Sequence, residues 1–199
     1  MSLIEVRGLC KRFSGGARPL FRDLNLTFPG GEVTALTGPS GIGKTTLLHI
    51  LMGLVSFDAG EILGVPRRQA AVFQENRLIP DLSAARNIAL GCPGPLSRAV
   101  VLEHLGRVGL AENADAPAGA LSGGMARRAA VVRACLAPAD ILFMDEPFAG
   151  LDPASTRQTL EYVRETRGAR TLLAVVHDRA HAEALGGEIL DLEALMYNE

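Results

Sequence analysis

No stretch of this chain reaches the roughly 18 uninterrupted apolar residues that a membrane-spanning helix needs. Met1 to Lys11 also lacks the pattern of a signal peptide. Neither a membrane span nor export is expected, which leaves a cytoplasmic location. Cysteine is scarce. The three residues Cys10, Cys92 and Cys135 are far apart and never form a C-x-x-C pair, so they read as reduced thiols rather than a disulfide framework or a zinc site. There is no surplus of charge of one sign. A formal net charge of -2 offers no overall attraction to a phosphate backbone, and no nucleic-acid partner is expected. Internal repeats and low-complexity segments are missing as well. What remains is 199 residues, 48% hydrophobic and 21% charged, enough to bury the core of a single domain spanning 1–199.

Hydrophobic patterning divides the chain. Leu3 to Phe13, Leu20 to Phe28 and Glu32 to Thr37 are short β-leaning runs separated by turns such as Pro29-Gly30-Gly31, and they predict an antiparallel edge sheet. Thr45 to Leu54 has helical spacing, and Ala70 to Phe73 is a short apolar strand. Helices are predicted over Ser83 to Leu90, Leu96 to Val108, Ser122 to Leu136 and Ala154 to Arg167. Strands are predicted at Ile141 to Met144, Thr171 to Val176 and Ile189 to Leu192. Fully apolar strands alternating with helices imply an α/β core with a parallel sheet.

The string Gly38-Pro39-Ser40-Gly41-Ile42-Gly43-Lys44-Thr45 satisfies G-x-x-x-x-G-K-[ST], and Thr46 continues it into the helix. It lies where the chemistry requires it, between a strand and a helix. Glycines let successive N–H groups curl around phosphates, and the helix N-terminus adds its positive end. Lys44 supplies a point charge for the β- and γ-phosphates, and Thr45 offers a hydroxyl to Mg²⁺. Ile141-Leu142-Phe143-Met144-Asp145-Glu146 is an apolar strand that delivers two carboxylates at its C-terminal edge, where ligands of open α/β sheets sit. Asp145 in that place can hold a Mg²⁺ water shell, and Glu146 can polarise an attacking water.

Leu121-Ser122-Gly123-Gly124-Met125 opens a helix with a hydroxyl and two bare amides, a second anion-binding helix start in one domain. One nucleotide does not need two. A helix of about 24 Å, at about 1.5 Å per residue, separates this turn from Asp145, so it is expected to serve the nucleotide of another chain.

With these motifs the chain resembles the ATP-binding cassette family over essentially its whole length. The Walker A motif is Gly38 to Thr45, the Q-loop is at Gln74, the signature is Leu121 to Met125, and Walker B is Ile141 to Glu146. The D-loop is Ala149 to Asp152 and the switch histidine is His177. The resemblance implies a P-loop NTPase (RecA-like) parallel-sheet core, an antiparallel β subdomain, and a helical signature subdomain at about 76–137. It implies ATP and Mg²⁺ as cofactors and catalytic roles for Lys44, Glu146 and His177. It also implies a metal contact and a link to membrane subunits at Gln74, coupling between sites at Asp152, and adenine stacking by Phe13, for which simple packing is the alternative. Ser122, Gly123 and Gly124 of one subunit would close over the γ-phosphate held by Lys44 of a second copy or a homologous ATPase subunit.

The fifth signature residue, usually Gln, is Met125 here, which removes an amide near the composite site. Importer subunits of the nitrate, sulfonate and taurine group often carry Met there, and the run from Val72 to Pro80 is similar to theirs. The expected role is an ATPase that drives a separate transmembrane permease, in import, with a substrate-binding protein reached through the permease. Its expected place is peripheral, on the cytoplasmic face of the inner membrane. Regulation by an appended C-terminal domain is not expected. A soluble ATPase of an assembly or scaffold complex is the alternative.

Overall fold

The computed structural model describes residues 3–13, 18–94 and 96–197. Its centre is a five-stranded sheet, ordered β5-β6-β7-β3-β8, in which every neighbouring pair is parallel. The strands are β3 (Val33–Thr37), β5 (Gln69–Val72), β6 (Ile141–Asp145), β7 (Thr171–Val175) and β8 (Glu188–Asp191). All residues of β6 and β7 are buried, as strands covered on both faces require. Side-chain alternation then sorts them. Leu142, Met144, Leu172 and Ala174 pack into one apolar core, while Ile141, Phe143, Leu173 and Val175 pack into another on the opposite face.

The second core is closed by α1 (Lys44–Leu51) and by a three-stranded antiparallel sheet, ordered β2-β1-β4. Its strands are β1 (Ile4–Lys11), β2 (Phe21–Phe28) and β4 (Ala59–Leu63). Two sequence expectations change here. Within the run Glu32 to Thr37, expected in the antiparallel sheet, Val33–Thr37 lies inside the parallel one, because its first four residues are all buried whereas β2 alternates. The missing antiparallel strand is Ala59–Leu63, which is mostly exposed and carries no apolar pattern to read.

The first core lies under the helices α2 (Ala84–Ala89), α3 (Arg98–Arg107), α4 (Gly123–Leu136), α5 (Pro153–Thr166) and α6 (Arg179–Leu185). A final helix, α7, spans Leu192–Tyr197. Helix starts follow local chemistry. Ser83, Ser97, Ser122, Asp152 and Asp178 each accept a backbone N–H through the side chain and so satisfy amides that the helix leaves free. Sequence patterning misses both α6 and α7.

Gly43 marks a close approach between the start of α1 and the antiparallel sheet. It holds the left-handed φ of 110° ahead of α1, and a Cβ there would stand 2.8 Å from Phe21 Cζ of β2. Gly43→Ala adds both backbone strain and a clash, so it is expected to destabilise the fold by about 2–3 kcal/mol. Thermal melting would show the drop.

Helices α3 and α5 meet through a partly buried polar contact: His104 Nδ1 lies 3.0 Å from the Tyr162 hydroxyl. Burial pushes the Tyr162 phenol up, so it keeps its proton and donates it to a neutral imidazole. Burial, and then Arg107, pull His104 below the usual histidine range, with Glu103 opposing. The unfolded chain therefore binds more protons than the folded one once pH falls below about 6.5. Stability is expected to fall as pH drops from there toward the depressed folded value. His104→Gln, which keeps an acceptor but does not titrate, should flatten this slope in a series of melts at different pH.

Candidate functional site

Parallel pairing gives the core strands a common direction, so their carboxyl ends share one edge of the sheet. Strand β3 runs into the Gly38–Gly43 loop, β5 into Phe73 and Gln74, β6 into Asp145 and Glu146, and β7 into Val176 and His177. At this edge lies a cleft of about 580 Å³. Ser40, Gly41, Gly43, Lys44, Thr45, Thr46, Gln74, Glu146 and His177 line it, with Phe13 and Leu20. That volume suits a ligand larger than a bare phosphate.

Lys44 is only 5% exposed, and its ammonium donates to Gly38 O at 2.8 Å and Pro39 O at 2.9 Å. Burial pulls Lys44 below the usual lysine range, and the charges of Glu146, Asp145 and Asp191 pull back up. The Thr45 hydroxyl donates to Asp145 Oδ1 at 3.1 Å, reaching past β7, which lies between β3 and β6. Asp145 is 1% exposed, and its other oxygen, Oδ2, is buried with no hydrogen-bond partner among the described residues. Burial raises its carboxyl above the usual range; Thr45 opposes this, and the neighbouring Glu146 adds to it.

Glu146 follows with a φ of 51°, a left-handed conformation that costs a non-glycine residue energy. Its N–H still donates to Val175 O at 3.0 Å, so pairing with β7 persists to the residue where the chain turns. The turn carries the carboxylate into the cleft, where Oε1 lies 2.6 Å from His177 Nε2. Phe13 is 48% exposed at the rim of the cleft, with Lys11 Nζ 4.9 Å from its ring centroid.

The structure does not bring the second glycine turn into this cleft. Ser122 caps α4 by accepting from Met125 N at 3.3 Å, and Gly123 is exposed. A Cβ on Gly124 would stand 3.3 Å from Leu151 Cδ2, so the turn packs on the loop ahead of α5 instead. Asp152 also stays outside. Its carboxylate caps α5, accepting from Ala154 N, Ser155 N and the Ser155 hydroxyl, and these bonds hold it below the usual carboxylate range. Met125 is half-buried against the apolar core of the helical side and helps to seat α4.

Sequence reasoning misses three residues. Leu20 lines the cleft, Asp191 supports the Lys44 charge, and Arg127 donates to the carbonyls of Phe73 and Gln74. Only Arg127 carries a signal: helical spacing puts it on the α4 face of Ala130, Val131 and Ala134, where a charged residue is out of place.

A family model described as ABC transporter matches residues 21–149. An aliphatic sulfonates import ATP-binding protein, SsuB 1 of Streptomyces avermitilis, is 42% identical over 96% of this chain and 74% of its own length. The intermembrane phospholipid transport system ATP-binding protein MlaF of Escherichia coli K12 is 36% identical over 89% of this chain and 74% of its own. A solved dimer of the ATP-binding cassette MJ0796, in a post-hydrolysis state with ADP and Pi, superposes with a TM-score of 0.80 at 25% identity, over 95% of this chain and 94% of that one. By sequence and by fold, this chain belongs to the ABC transporter family as an ATP-binding, ATP-hydrolysing subunit.

Proposed function

We propose that the chain powers a separate transmembrane permease, in import, as one half of a head-to-tail pair formed with a second copy or a homologous ATPase subunit. The observation that carries this reading is the division of the anion-binding groups. Lys44, Thr45, Asp145, Glu146 and His177 meet at one sheet edge, while Ser122, Gly123 and Gly124 do not line the cleft there. A turn built to hold an anion and excluded from its own site fits a partner's nucleotide. The MJ0796 cassette, similar in fold, was solved as a dimer.

Within the cleft, Lys44 exchanges its two loop carbonyls for the β- and γ-phosphate oxygens of ATP, and the loop amides of Gly38, Ser40, Gly41, Ile42 and Gly43 surround them, with Pro39 shaping the loop and Thr46 beside it. Phe13 at the rim stacks on the adenine. The free, buried Oδ2 of Asp145 beside the Thr45 hydroxyl fits Mg²⁺, which takes hard oxygens and one or two carboxylates together with phosphates. Thr45, Asp145 and Gln74 would hold that ion, which neutralises charge building up on the phosphates. Glu146 orients the attacking water and accepts its proton as the new O–P bond forms and the bond to the β-phosphate oxygen breaks, releasing ADP and phosphate. His177 holds the Glu146 carboxylate and reaches the γ-phosphate. Asp152, anchored as the α5 cap, relays closure between the two sites.

The chain 1–199 would act as one ATPase unit, with the helical part at about 76–137 facing the permease. No helix among the described residues is long and apolar enough to cross a membrane, in keeping with a peripheral subunit at the cytoplasmic face of the inner membrane. Import rests on the sulfonate relative, and any substrate-binding protein would be met only through the permease.

Glu146→Gln keeps the shape of the site and removes its base. It should lower turnover by about 10²-fold or more and trap an ATP-bound dimer, visible by size exclusion with ATP and Mg²⁺. A variant that stays monomeric would refute the paired site. Purification of the tagged chain from its own membranes should bring down a multi-span permease; recovery of soluble partners alone would point to an assembly ATPase.

A further inference from the structure

Three arginines on α4 direct their guanidinium groups at backbone carbonyls, and none of them forms a side-chain ion pair among the described residues. Arg128 donates to Val108 O at 2.6 Å. Arg133 donates to Arg77 O at 2.7 Å and to Asn76 O at 3.2 Å. Arg127 donates one N–H to Phe73 O and another to Gln74 O. Between them, Arg127 and Arg133 hold four carbonyls of the segment that leaves β5 for the cleft.

Arg127 is the unusual member. It is 6% exposed, and its own helix face offers Ala130, Val131 and Ala134, so an apolar side chain would fill the space at lower cost in desolvation. A guanidinium is retained at a place where only its fork can grip two consecutive carbonyls at once. The carbonyls chosen are those that set the path of Gln74, the residue of this segment that enters the cleft. Arg127 also lies one helical turn beyond Gly123, close to the N-terminus of the same helix. Two hydrogen bonds thus join the first turns of α4 to the backbone of Phe73 and Gln74.

We propose that Arg127 is a positioning residue that fastens Gln74 to α4, so that the Ser122–Gly124 turn and the loop entering the cleft move as one body. The proposal rests on the reading of that turn and of Gln74 given under the proposed function. In the paired enzyme, closing the turn over the partner's nucleotide carries Gln74 into its own chain's site, which ties the two sites together without any group that touches both.

The test compares the full chain with Arg127→Met and Arg127→Lys, with Glu146→Gln in parallel. It reads kcat and KM for ATP with Mg²⁺, hydrogen exchange of residues 73–77, and thermal melting. Arg127→Met should lower kcat about tenfold while KM changes by less than about twofold, because nucleotide binding is intact and only alignment is lost. Exchange should rise about tenfold in residues 73–77 and not across the sheet. Arg127→Lys, which keeps the charge but grips one carbonyl at a time, should recover part of kcat. Unchanged turnover and exchange in Arg127→Met would overturn the proposal, as would a rise in KM with faster exchange throughout, which marks a residue that only supports the fold. If the methionine variant does not fold, full wild-type kcat in Arg127→Lys overturns it. Failure of the underlying reading shows separately, as a Glu146→Gln variant that stays monomeric with ATP and Mg²⁺ in size exclusion.

Discussion

Parallel pairing of β5, β6, β7 and β3 is the constraint on which the site depends. Antiparallel pairing would send half of these strands' carboxyl ends to the far side of the domain. Because all four run the same way, Gln74, Asp145, Glu146, His177 and the glycine loop reach one edge with no need for long loops. The bond from Thr45 to Asp145 depends on this twice over, since it spans β7 and joins the starting turn of α1 to the end of β6. A slip of one residue in β6 would turn Asp145 to the other face of the sheet and break that bond.

Burial makes this edge costly to keep folded and useful to a ligand. Lys44 and Asp145 are both nearly inaccessible, and desolvation disfavours the charged form of each. Neither is neutralised by a full ion pair among the described residues. Lys44 leans on two carbonyls, and Asp145 spends one oxygen on a hydroxyl and leaves the other bare. Glu146 adds a backbone conformation that a glycine would hold with less strain. A sequence selected for stability alone would relieve all three. Their persistence at one edge of one cleft is the pattern of a site that relies on a charged ligand to complete it.

The sequence made the chemistry-bearing motifs legible for a different reason from the strands. Gly38 to Thr45 and Asp145-Glu146 could be picked out because phosphate binding demands particular residues at particular spacings, and Lys44, Thr45, Glu146 and His177 line one cleft. Strands β6 and β7 could be read because burial on both faces leaves no room for polar residues. Strand β4 could not, since Ala59–Leu63 is held by backbone pairing with β1 and shows almost no apolar surface. Strand β3 falls in a different sheet from the one expected for a related reason: a five-residue apolar run declares its burial but not its partners. Helical spacing marks Arg127 as out of place on its face but not what it holds, because its partners are carbonyls 53 and 54 positions away.

The same long-range bonding ties the helical side to a cleft it does not line. Helix α4 enters the region through Ser122 and Gly124, rests on Gly150 and Leu151 ahead of α5, and holds the Gln74 segment through Arg127 and Arg133. Its first turn therefore touches the loop that follows Glu146, and its buried face holds the loop that follows β5. Both loops start beside a residue that lines the cleft, Gln74 or Glu146, so displacement of this one helix would reach both segments that leave it. Close packing leaves little slack to absorb such a displacement. Under the proposed pairing, a helix that starts with Ser122 and two glycines and is seated against two loops that leave this chain's cleft would convert contact with another subunit's phosphate into movement at Gln74.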